Sequence, residues 1–410
     1  MAESRPLLPG LNLRVRRVEG APVAAVRAWV RAGARIESTP GQALLTGRLL
    51  TEGTKRRDWR RIAEEADARG AIVSSFETFE CHGVSIDALA EDWEQALAWA
   101  AEMILEPSFP EDRCAWIARQ ANAELESLAD QPEIKTSWGF FEQLYTPHPR
   151  SRPLQGNPES LLALTPEECA GFHAQALGQG LSVTVAGVVD AEAVAARVAE
   201  LFAALPPAGP PAAEPAAPLG LPERRRQVAT EAEDQAHLYL GHLTVPRSHP
   251  DYTALEVLAV ILGSGAGLTG RIPNRIREQE GLAYSAYAQT VSGSGIDPGR
   301  LIAYVGTSPE TVEKALDGVV EEITRVVDEG VLTAEVEEAR AYLLGREPFR
   351  RETARQWAEL LVDAELYQLP LDDSAWRIAS LEAVDTAAVE AAARRHIRPE
   401  ELRVTVGLPE

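Results

Sequence analysis

The chain is poor in the residues that announce chemistry. Its 410 residues include only three cysteines, two methionines and seven histidines, and aromatic residues make up 6%. Cys81, Cys114 and Cys169 are odd in number, far apart and fit no metal spacing, so they read as reduced thiols of a cytoplasmic protein. No apolar run of about 20 residues is present to span a bilayer, and the N-terminal stretch MAESRPLLPGLNLRVRRVEG has no apolar core of a secretory signal. A net charge of −22 with no dominant basic face argues against a nucleic-acid partner, and no membrane partner is expected. Lysine is confined to Lys55, Lys135 and Lys314. There is no Gly-x-Ser-x-Gly elbow and no phosphate loop ending in Gly-Lys-Ser/Thr. No two histidines lie three or four residues apart, the spacing that places two metal ligands on one helix face.

What is present is a duplication. Residues 206–222, PPAGPPAAEPAAPLGLP, hold seven prolines and read as a semi-rigid spacer. With the linker extended to residue 226, the expected domains are 1–205 and 227–410. TPEECAGFHAQALGQGLSVTV (165–185) and TAAVEAAARRHIRPEELRVTV (386–406) each end a half with a helix and then a strand, offset by 221 residues without a gap. Each half also has an alternating strand that runs into an amphipathic helix. These are residues 70–86 then 91–104, and residues 281–295 and 300–306 then 308–330. In the last helix Val312, Leu316, Val319, Ile323 and Val326 form the buried stripe. The predicted fold is α+β: two similar domains, each a mostly antiparallel sheet covered by helices on one face.

GQALLTGRLLTEGTK (41–55) predicts a short helix with an odd feature. Leu44, Gly47 and Arg48 share one face, and a glycine inside a helix costs about 1 kcal/mol against alanine. TKRRDWRR (54–61) is a basic run that reads as a solvated helix start, with an acidic partner as the alternative. His82 reads as a strand-edge histidine.

Taken together, GARIESTPG (33–41), PHPRSRPLQGNPESL (147–161) and HPDYTALEVLAVILGSG (249–265) resemble the pitrilysin/insulinase zinc peptidases. The closest branch is the one containing mitochondrial processing peptidase and its bacterial relatives. In that family the first-domain helix carries H-x-x-E-H, two zinc-binding histidines and a general-base glutamate. Aligned on Gly53-Thr54-Lys55, the histidine positions are Leu44 and Arg48 and the glutamate position is Gly47. None of these can ligate zinc or take a proton from water. The third ligand position falls at Glu124, which by itself reads as a solvated helix carboxylate.

The resemblance implies further features. RIREQEGLAYSAYA (275–288) matches the stretch whose arginine and tyrosine face the zinc, here Arg277 and Tyr284. Such a pair can donate hydrogen bonds to a peptide carbonyl as it gains charge. GSGAGLTGR (263–271), with Gly263, Gly265 and Gly267, corresponds to a glycine-rich loop over the substrate cavity and departs from the pattern at Pro273. AIVSSFE (71–77), with Val73, Ser74, Ser75 and Phe76, occupies the place of the edge strand that binds peptides through main-chain hydrogen bonds.

The implied role is the non-catalytic subunit of a heterodimeric zinc metalloendopeptidase. No metal or other cofactor is expected in this chain. The expected partner is a homologous subunit that carries the zinc, and the substrate a peptide or unfolded polypeptide. The alternative is a metal-free peptide-binding or structural homologue acting as a homodimer or core subunit.

Overall fold

In the computed structural model the described residues are 2–207, 209–210, 212–231, 234–265, 270–370 and 373–409. They form two compact units, and neither is contiguous in sequence. Unit one comprises Met1–Glu126, Pro153–Ala216 and Pro348–Asp373; unit two comprises Ser127–Arg152, Ala217–Glu347 and Ser374–Glu410.

Unit one is built on a six-stranded sheet, from β1 (Ala2–Leu8), β2 (Leu11–Arg17), β3 (Val23–Val30), β4 (Ile72–Glu77), β5 (His82–Leu89) and β6 (Leu181–Gly187). Their spatial order is β1-β2-β6-β3-β5-β4. Unit two has β7 (Arg225–Thr230), β8 (Ala236–Leu243), β9 (Ala283–Ser292), β10 (Arg300–Thr307) and β11 (Arg403–Pro409), in the order β7-β11-β8-β10-β9. β1 apart, the two orders match strand for strand. Each sheet has one parallel pair, β2 with β6 and β7 with β11, and is otherwise antiparallel. The duplication seen in the sequence is thus a duplication of topology.

Both sheets are covered on two faces, where one was expected. In β3, Ala24, Val26 and Ala28 point into the main core of unit one. Ala25 points the other way and, with Ala186 of β6, packs under Ala354, Trp357, Ala358 and Leu360 of helix Ala354–Leu366. That helix comes from beyond the linker. Unit two repeats the device: Leu238 and Leu240 face its main core, while Tyr239, Ile302 and Tyr304 pack against Phe140, Leu144 and Tyr145 of helix Pro132–Tyr145. Each unit therefore takes one covering helix from the other half of the chain. The reason is visible in β3, VAAVRAWV, buried from its second residue to its last. A strand that is apolar on both sides needs a cover on both sides.

Local expectations fare variously. The single strand read at 70–86 is a hairpin, β4 and β5, turned at Thr78–Cys81, where the Thr78 hydroxyl accepts from Glu80 and Cys81 N–H. The helix read at 308–330 runs Val312–Asp328 behind a short 3₁₀ turn, and its stripe is buried as predicted, with Leu316 partly so. The proline-rich linker does not float free. Gly209 N–H donates to the Gly178 carbonyl in unit one, and Leu219 and Gly220 N–H donate to the Thr146 carbonyl in unit two. His82 is no strand-edge residue: it is fully buried on an interior strand, 3.1 Å from His173, and its Nδ1 meets the Ala32 carbonyl at 2.5 Å.

The donated helix generates the first prediction. Trp357 is nearly buried and Arg16 lies 3.4 Å over its ring. Trp357→Ala should destabilise unit one by about 3–5 kcal/mol in denaturant unfolding, the range for truncating a buried tryptophan. A loss under about 1 kcal/mol would mean that the helix is a loose cover.

Candidate functional site

Helix Gln42–Leu49 starts without a side-chain cap of its own, because Gly41 at its N-cap is left-handed, with φ 88°. Glu37 takes over that role, its carboxylate accepting from Gly41 N–H at 3.1 Å and Ala43 N–H at 2.9 Å. The helix is buried at nearly every position, and Leu44, which the resemblance aligns with the first ligand position, is part of the core.

Gly47 is explained by its neighbour. A β-carbon built on Gly47 would lie 2.3 Å from Cγ and 2.8 Å from Oε1 of Glu77, the last residue of β4. The space in which a glutamate at position 47 would begin is filled by the side chain of another glutamate, arriving from the strand. Even alanine does not fit without movement, which is why the helix carries a residue of poor helical propensity.

Arg48 and Glu124, which the resemblance aligns with the second and third ligand positions, lie together and form a two-pronged ion pair: Nη1 donates to Oε1 at 3.1 Å and Nη2 to Oε2 at 2.8 Å. Glu124 is thus more than a solvated helix carboxylate. The fork geometry of arginine and carboxylate makes this a directional contact, although the half-exposure of Glu124 keeps its net worth small.

Glu77, which sequence reasoning missed, is the electrostatically unusual member. Burial pushes its carboxyl up to about 7; a hydrogen bond from Ser75 and the charge of Arg48 oppose the shift, and Glu124 adds to it. Its Oε1 is buried with no partner among the described residues. The only sequence signal was indirect: a helical glycine facing a strand that ends in glutamate.

β4 is the edge of its sheet, paired on one side to β5 with Ser74 opposite Ser85 and Phe76 opposite Gly83. Ser75 shares the Glu77 face, and Val73 packs against the core. On the opposite face, Ile72, Ser74 and Phe76 line a cavity of about 400 Å³ whose far wall is Glu359, Leu366 and Tyr367 of the donated segment.

The remaining site residues are in unit two. Arg277 lies in the helical turn Asn274–Gln279 and Tyr284 in β9, the edge strand that corresponds to β4. The guanidinium carbon is 4.7 Å from the tyrosine ring centroid. Tyr284 is not a packed strand tyrosine: it is 81% exposed, in contrast to Tyr239 and Tyr304 of the neighbouring strands. Gly263 has φ 157°, and Pro273 lies against it, 2.8 Å from where a β-carbon would stand. Gly265 is extended, and Gly267 lies outside the described residues. The basic run is largely self-neutralised: Asp58 caps the helix beginning at Trp59, and Arg57 pairs with Glu65 and Glu102.

The two α+β units share one duplicated topology, and in the first of them helix Gln42–Leu49 is joined to Glu124 through Arg48. Comparison with known proteins gives the family. The insulinase (peptidase family M16) profile matches residues 15–155, and the profile described as peptidase M16 inactive domain matches residues 163–343. An uncharacterized zinc protease of Mycobacterium leprae is 30% identical over 373 residues, covering 88% of this chain and 82% of its own. One from Bacillus subtilis is 24% identical, covering 78% and 77%. Among solved structures, a peptidase M16 inactive domain from Pseudomonas fluorescens superposes with a TM-score of 0.91 at 24% identity, covering 100% of this chain and 98% of its own. A protease from Helicobacter pylori gives 0.88 at 18%, with 100% of both chains covered. The chain belongs to the insulinase family, peptidase family M16. Among the described residues no helix is long and apolar enough to cross a membrane.

Two predictions follow from the Gly47–Glu77 contact. At an unhindered helix position Gly→Ala gains about 1 kcal/mol; here Gly47→Ala should instead cost about 1–3 kcal/mol through overpacking. In a Glu77→Ala background the same change should become neutral or stabilising, and a double-mutant cycle by denaturant unfolding reads the difference. A single variant as stable as its parent would show that Glu77 swings clear at no cost. The second prediction is linkage. A carboxyl raised from 4.5 to about 7 keeps its proton in the folded state where the unfolded state has lost it. Stability is therefore fully present below about pH 4.5 and falls as pH rises toward 7. Glu77→Gln should flatten that fall and be more stable than the parent by about 2–3 kcal/mol at pH 8, with little difference at pH 4.5. Equal differences at both pH values would place Glu77 in contact with water.

Proposed function

We propose that this chain is the non-catalytic subunit of a heterodimeric zinc metalloendopeptidase, paired with a homologous subunit that carries H-x-x-E-H. The observation that carries this reading is a contrast. The positions that the resemblance aligns with a zinc site are taken up by Leu44, by Glu77 in the space over Gly47 and by the Arg48–Glu124 pair. Its substrate-handling groups are left available: β4 offers an unpaired sheet edge, and Tyr284 stands exposed beside Arg277.

In this role the substrate is a peptide or unfolded polypeptide, laid along the β4 edge at Val73–Phe76 through its main chain. Gly263, Gly265 and Gly267 are the residues that the resemblance assigns to a glycine-rich substrate loop. Zinc in the partner would polarise the scissile carbonyl and activate water. Arg277 and Tyr284 would each donate a hydrogen bond to the carbonyl oxygen as its charge develops, stabilising the transition state more than the bound substrate.

The test is reconstitution. Mixed with its zinc-bearing partner, the chain should form a stable complex by sedimentation and raise peptidase activity above that of the partner alone. In that complex Tyr284→Phe should lower turnover about 10²–10³-fold, the usual cost of one such donor, with little change in KM or melting temperature. Cleavage with unchanged turnover would remove Tyr284 from the reaction. If no complex forms and no activity is gained, the metal-free peptide-binding homologue, acting as a homodimer or core subunit, is the better reading.

A further inference from the structure

Three chemistry-bearing side chains meet in unit two, two from positions 249 and 251 and the third from position 396. His249 lies just before helix Tyr252–Ala259, Asp251 is its N-cap, and His396 is the last residue of helix Thr386–His396. One ligand atom from each lies within 4.8 Å of the other two. His396 Nε2 is 2.7 Å from Asp251 Oδ2, and the His249 ring stands edge-on to the His396 ring, with centroids 4.9 Å apart. We propose that His249, Asp251 and His396 form a binding site for a divalent transition-metal ion of the zinc class.

The geometry supports a tetrahedral ion with three protein ligands and one water. Ligand atoms around such an ion sit roughly 3.3 Å apart, so the cluster closes on a metal by small side-chain rotations without backbone movement. All three residues are half-buried, which leaves the fourth position open to solvent. Two imidazoles and one carboxylate are a donor set for Zn²⁺, Co²⁺ or Ni²⁺, whereas Ca²⁺ and Mg²⁺ call for oxygen. His249 is held below its ordinary value by burial first, then by His396 and Arg395, against the pull of Asp251.

Two features oppose the ion and set the scale of its affinity. Arg395 also pairs with Asp251, and the Asp251 N–H donates to His249 Nδ1 at 3.1 Å. A bound metal displaces the first and competes with the second, so binding is weaker than at a dedicated structural zinc site. A simple staple between the two helices needs only Asp251 with His396 and Arg395; it gives no reason for a second imidazole to stand against the first. The site is in the other unit from Leu44, Gly47 and Arg48, and its occupancy does not bear on the proposed loss of zinc from that helix.

The experiment uses the full chain, stripped with chelator and titrated at pH 7.5 with Co²⁺, followed by visible absorption, and with Zn²⁺, followed by calorimetry. One saturable equivalent is expected, with tetrahedral cobalt bands and a higher melting temperature in the metal-bound protein. His249→Ala and His396→Ala should each weaken binding at least about 10-fold. Arg395→Ala, which frees the Asp251 carboxylate without touching a ligand, should strengthen it several-fold. Glu124→Gln, in the degenerate helix site, should leave it unchanged. Should His396→Ala unfold the protein, His249→Gln and Arg395→Ala decide the matter. Absence of a saturable equivalent, or one insensitive to both His249 and Arg395, would overturn the proposal; a further equivalent that is lost in Glu124→Gln, beside one that depends on His249, would place a metal in the helix and overturn the proposed function while leaving this site standing.

Discussion

The close approach of strand β4 to helix Gln42–Leu49 at Gly47 is the constraint around which the first unit's site is arranged. No side chain can be present at position 47 while Glu77 lies where it does. Because Glu77 ends the edge strand, that strand and the helix meet closely at this point. The Arg48–Glu124 pair lies beside the same contact. Glu124 and Glu77 raise the local negative charge, and Arg48 supplies a positive charge that cannot be titrated away. Leucine, glycine and arginine in this helix are therefore parts of one consistent packing.

Retention elsewhere reads differently because its physics is different. Tyr284 gains little from packing at 81% exposure, and the Arg277 guanidinium lies over its ring. An exposed aromatic on a sheet edge carries a cost in solubility. The two edge strands thus differ: that of the first sheet ends in a half-buried acid, and that of the second carries an exposed phenol near its start.

How much of this could be read from the sequence depended on the range of the interaction. The duplication was legible because helix–strand endings at 165–185 and 386–406 are local patterns, and they became β6 and β11 with their helices. The buried stripe from Val312 to Val326 was legible for the same reason. That positions 44, 47 and 48 offer no metal ligand and no general base was legible from the identities of Leu44, Gly47 and Arg48 alone. What lay beyond reach was contact between distant residues. Nothing local to Glu77 says that it fills the space over Gly47, and nothing local to His249 says that His396 will stand beside it. The second cover on each sheet was partly legible: VAAVRAWV and AHLYLGHL are too apolar to have a wet face, but no pattern says which helix dries them.

The exchange of covering helices has a consequence in time. The outer face of the first sheet, with Ala25 and Ala186, is closed only by residues of Pro348–Asp373. A chain emerging from the ribosome therefore makes nearly all of the first unit's strands and then must wait for most of the second half. At about 5–20 residues per second that interval is on the order of ten seconds or more. Throughout it an apolar sheet face and an unpaired β4 edge are exposed together, the combination that invites association with other chains. The first half is thus a nascent client for a chaperone, and the chain matures as one cooperative object rather than as two domains in succession.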